Sequence, residues 1–99
     1  MIRLELRNEK GKKEVHEQDF VSGRKVREVL EMMDHFASGE VTKEVEALDK
    51  KVEFVAGLFK DVTTDDIYEG TEGPELLKVL DGVIDQVLGR EKKIPLDEK

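Results

Sequence analysis

The sequence predicts a mainly α (α+β) fold, a small helical bundle with an N-terminal β-hairpin and a flexible, charged C-terminal tail. Three observations carry this. Ile2, Leu4 and Leu6 alternate with Arg3, Glu5 and Arg7, the period of a half-buried strand. Three later segments repeat apolar residues at helical spacing, and Ser, Thr, Gly and Pro punctuate them where helix ends require.

The first strand is followed by turn chemistry at Asn8 to Gly11, and the run around Val15 returns as an edge strand. Ser22 stands where it can cap a helix from about Gly23 to Ala37, closed by Ser38-Gly39. Val26, Leu30, Met33 and Ala37 form its expected core face, with Val29, Met32 and Phe36 on the shoulder. Thr42, followed by Glu44 and Glu46, opens a second helix expected to reach Lys60. That helix is apolar on two sides: Val45, Leu48, Val52, Val55 and Phe59 make one stripe, and Ala47, Phe54 and Leu58 make another.

Thr63-Thr64-Asp65-Asp66 signals a short helical turn that carries Ile67 and Tyr68 as a plug over the core and closes at Gly70. Gly73-Pro74-Glu75 starts the last helix and Gly89 stops it. Leu76, Leu77, Leu80, Val83, Ile84, Val87 and Leu88 span about half its circumference, so it is the main core donor. Gly82 in its interior points to close approach by another backbone or to simple drift. Residues 1–89 therefore read as one domain and residues 90–99 as tail.

Of 99 residues 41% are charged and none is Cys, which excludes thiol catalysis, disulfides and thiolate metal sites. The net charge of −7 is uneven: residues 28–89 hold five Lys/Arg against sixteen Asp/Glu, whereas residues 1–27 hold eight against five. An acidic body repels phosphate backbones and anionic lipids, so no nucleic-acid or membrane partner is expected. No signal-peptide or membrane-spanning run is present, and a cytoplasmic location is the expectation.

No catalytic residues, cofactor or metal site emerge. His16 and His35 lack neighbours at ligand spacing, and Asp65, Asp66 and Glu69 miss the calcium-loop order and are explained by helix capping. A serine after an aspartate, which an acidic carrier protein needs for its prosthetic arm, is absent, since Ser22 and Ser38 follow Val21 and Ala37. What remains is interaction with protein. Val29, Met32 and Phe36 on the first helix and Ala47, Phe54 and Leu58 on the second exceed what the core needs, and these six are the expected binding residues. Self-association or capture of an apolar partner follows from such a surface. An acidic inhibitor acting through carboxylates, antitoxin-like or mimicking DNA, is the alternative, and salt separates the two.

The run FVSGRKVREVLEM at residues 20–32, LDKKVEFVAGLF at 48–59 and TTDDIYEG at 63–70, before a final amphipathic helix ending in Gly89, resembles the tail assembly chaperones of long-tailed bacteriophages and prophages of Gram-positive hosts. The resemblance covers nearly all of residues 1–89. It implies a protein made in the host cytoplasm and absent from the virion that coats the apolar tape measure protein. It further implies assembly into spirals, and a longer frameshifted form that recruits tail tube protein, of which this chain is the short form. The resemblance carries no catalytic residues.

Overall fold

A computed structural model describes residues 2–90, in the order β1 (Ile2–Arg7), β2 (Lys13–Gln18), α1 (Gly23–Ser38), α2 (Glu44–Ala56), α3 (Thr64–Gly70), a 3-10 turn (Gly73–Glu75) and α4 (Leu76–Leu88). The expected tail lies, apart from Arg90, outside the described residues. The mainly helical bundle with an N-terminal antiparallel hairpin is the architecture the sequence predicts.

The hairpin forms because its turn satisfies itself. Asn8 Oδ1 accepts from the N–H groups of Lys10 (2.9 Å) and Lys12 (3.1 Å), the Asn8 amide donates to Glu14 (3.0 Å), and Gly11 supplies the left-handed φ of 78°. The register pairs Ile2 with Gln18, Leu4 with His16 and Leu6 with Glu14. Alternation then sends Ile2, Leu4 and Leu6 into the core and leaves Arg3, Glu5 and Arg7 in water. This apolar face packs on α3 and α4.

Beneath it lie Val29 from α1, Val52, Val55 and Ala56 from α2, Ile67 from α3, and Leu80, Val83 and Ile84 from α4. Gly39 and Gly89 end α1 and α4 in left-handed conformations, as their sequence positions predict. The capping of α3 also follows the prediction, through a reciprocal box in which Thr63 Oγ1 accepts from the Asp66 N–H at 3.1 Å and Asp66 Oδ2 from the Thr63 N–H at 2.9 Å.

Several expectations are corrected. Ser22 precedes α1 but makes no side-chain cap, and α2 opens after Lys43 rather than Thr42. More consequentially, α2 stops at Ala56. The chain tightens through Gly57, with the N–H groups of Leu58 and Phe59 reaching back to Val55 and Ala56 at 3.1 and 3.2 Å. Positions 58 and 59 thus leave the helical wheel and both turn inward, while Val45, assigned to the core stripe, is exposed. On α4, Leu77 is exposed, so the buried arc is narrower than half the helix. Among the described residues nothing lies within 4 Å of a Cβ built on Gly82, so no other element approaches it there.

Candidate protein-binding site

The apolar arc of α1 combines two adjacent stripes, and the fold chooses between them. Val29 is fully buried at the centre of the core, with Met32 packed against it. The outward stripe is the one that periodicity assigned to the core: Leu30 is 46% exposed and Met33 39%, Ala37 is exposed and Val26 half-buried. The two stripes are offset by about 100°, one residue step on a helix, so spacing identifies both, and only the position of α4, on which α1 packs, decides which goes inside.

The six expected binding residues therefore divide. Val29 and Leu58 are core residues, closed to any partner in the folded monomer; the expectation that they are surplus to the core is overturned. Val29 is taken by packing around α4, Leu58 by the turn that follows Ala56. Met32 of α1 and Phe54 of α2, both half-buried, form the floor of an open groove of about 420 Å³. Glu31, His35, Lys50 and Glu53 form its rim. Phe36 and Ala47 are half-buried and do not line that groove.

Leu30 and Met33 do not line that groove: on the wheel of α1 they lie on one flank of the buried Val29, and Glu31, Met32 and His35 lie on the other, so α1 presents an exposed apolar ridge and, separately, one wall of the groove. Met33 and Met32 bring unbranched, polarizable side chains that adapt to irregular partner surfaces. The carboxylates of Glu31 and Glu53 keep the rim hydrated. The groove can take an apolar anchor of an amphipathic helix over Met32 and Phe54, and Leu30 and Met33 offer a second, separate apolar contact.

A larger concavity, about 800 Å³, lies where the hairpin turn faces the α2–α3 connection and α3, and it is polar. His16 is one of its lining residues. Its ring stands edge-on to Phe59 with centroids 6.4 Å apart, and its nitrogens lie 3.6 Å from Asp61 and 3.8 Å from Glu14. These contacts place it as packing between hairpin and bundle. Among the described residues no group of three or more His, Asp or Glu could hold a metal ion, and no helix is long and apolar enough to cross a membrane.

Tyr68, expected as part of a plug, is half-buried over the core while its hydroxyl donates to the Asp49 carboxylate. That bond, together with partial burial and the negative charge of Asp49, pushes the phenol up to about 12. The pair ties α3 to α2, beside the Lys51–Asp81 contact of 3.0 Å that ties α2 to α4.

No curated protein and no solved structure matches the chain. A family model described as phage tail chaperone protein matches residues 1–99, the entire sequence. With a match of that extent over a helical bundle whose outer face carries an apolar ridge, the chain belongs to the phage tail chaperone family.

Proposed function

We propose that this chain is a non-enzymatic holding chaperone of tail assembly, acting in the host cytoplasm on the tape measure protein. The carrying observation is the exposure of Leu30 and Met33 on one flank of α1, with the Met32–Phe54 groove as a second apolar surface on the other. An unassembled tape measure protein is a long helical chain whose apolar side lacks its eventual cover, and apolar surfaces on an acidic body are a fitting temporary one. Holding of this kind needs no bond-making step and no nucleotide.

The binding residues are Met32 and Phe54 at the floor and Leu30 and Met33 at the ridge, with Phe36 and Ala47 half-buried contributors from α1 and α2. The −7 net charge serves solubility of the complex rather than recognition. Self-assembly around the tape measure protein and hand-over to tail tube protein complete the reading. Co-expression with the tape measure protein tests it: the partner should be recovered in soluble form with the chain, and Leu30→Asp together with Met33→Asp should abolish recovery without unfolding.

A further inference from the structure

The hairpin has one covered edge and one open edge. The Asn8 N–H donates to the Lys12 carbonyl at 2.8 Å, and this sets the alternation of the ladder. Leu6–Glu14, Leu4–His16 and Ile2–Gln18 are then the hydrogen-bonded pairs, and Lys13, Val15 and Glu17 turn their N–H and C=O groups away from β1. On the far side of β1, the Arg3 N–H donates to Gln86 Oε1 at 3.0 Å and Gly70 presses on the Arg7 backbone, so α4 and α3 close that edge. On the far side of β2, no hydrogen bond among the described residues reaches the backbone of Lys13, Val15 or Glu17, and all three are exposed.

The residues on that open edge read as a self-complementary string, Lys13-Glu14-Val15-His16-Glu17. Antiparallel pairing with an identical strand, about a two-fold axis through Val15, puts Val15 on Val15, Lys13 opposite Glu17 and Glu14 opposite His16. The free backbone groups of Lys13, Val15 and Glu17 are also the ones that such an axis brings face to face. Parallel pairing in register would instead set Lys13 on Lys13 and Glu17 on Glu17, which like charge opposes. Within its own hairpin Lys13 gains nothing, because its cross-strand partner is Arg7. Val15, 46% exposed on the outer face, sits opposite Glu5.

We propose that two copies of this chain pair through the open edge of β2, forming one continuous four-stranded antiparallel sheet with Lys13 of each copy against Glu17 of the other. The occupant is a second copy because the charges on the strand complement themselves. An isologous contact of this kind closes on itself and leaves the α1 ridge of both copies free. It stands on the strand alone and does not depend on the chaperone reading.

Sedimentation velocity of the full chain across concentration tests it. The wild-type chain should show a monomer–dimer equilibrium. Lys13→Glu, which creates two like-charged pairs at the joint, should weaken it about tenfold. Combining Lys13→Glu with Glu17→Lys should restore it to within a few-fold. Misfolding does not confound the single variant, since Lys13→Glu replaces a like-charged pair with Arg7 by an opposite one, and its thermal midpoint should not fall. A chain that stays monomeric up to ~1 mM, or dimers equally tight in all three proteins, would overturn the proposal. The latter result would put the contact on the α1 ridge or on residues 91–99. If the dimer behaves as proposed and tape measure protein is not held, only the chaperone reading fails.

Discussion

At the scale of single residues, Gly70 and Tyr68 do more than the sequence discloses. Gly70 reads there as the stop of a short helix, but a Cβ built on it falls 2.6 Å from the Arg7 carbonyl oxygen and 3.2 Å from Leu6 Cβ. The contact is with backbone, which cannot swing aside. Gly70→Ala should therefore cost ~1–3 kcal/mol, read as a lowered urea midpoint, while leaving partner capture intact because the α1 ridge is not involved. Nothing local marks such a contact, since it joins residues more than sixty positions apart. Tyr68 is the chain's one tyrosine, so its titration can be followed without assignment. Its phenol, held up to about 12 by the bond to Asp49, should ionise well above the ~10 of an unfolded chain. Because the native state holds the proton more tightly, the stabilisation is complete below pH ~10 and is lost as pH rises through 12. Asp49→Asn should bring the ultraviolet titration midpoint back toward the ordinary value, and Tyr68→Phe should remove this part of the alkaline stability loss.

At the scale of elements, periodicity and punctuation proved reliable for existence and for most ends. The alternation Ile2, Leu4, Leu6 placed β1 and its buried face, Thr63 and Asp66 placed α3, and Gly39 and Gly89 placed two helix stops. The rotational setting of α1 is not legible, because both its apolar stripes satisfy helical spacing and the choice depends on where α4 sits. The end of α2 was missed for a related reason: Leu58 and Phe59 continue the apolar wheel on paper, but the chain has left the helix by then. Of the six expected binding residues, then, Val29 and Leu58 lie in the core and Met32 and Phe54 line an open groove, while Leu30 and Met33, expected in the core, are exposed. Gly82 offers a test at this scale. Its surroundings are open and its conformation is helical, so Gly82→Ala should raise stability by ~0.5–1 kcal/mol through helix propensity alone. A fall in the thermal midpoint would show that α4 is more crowded there than the monomer displays.

At the scale of the whole molecule, the charge distribution and the apolar ridge divide the work. The surface ion pairs, such as the exposed Arg27–Glu31 at 3.7 Å and the half-buried Lys25–Glu28 at 3.2 Å, contribute little to stability. The acidity instead sets how the molecule meets others. Recognition through carboxylates weakens steeply as salt screens it, whereas recognition through Leu30, Met33, Met32 and Phe54 holds or strengthens. The most direct measurement is therefore co-purification of the tape measure protein with the wild-type chain and with the Leu30→Asp, Met33→Asp variant, each at low and at high salt. Apolar capture predicts a soluble complex that survives high salt with the wild-type chain, and none with a variant whose circular dichroism and unfolding midpoint remain those of a folded protein. A complex that falls apart on raising the salt, or one that the folded variant retains in full, would contradict it.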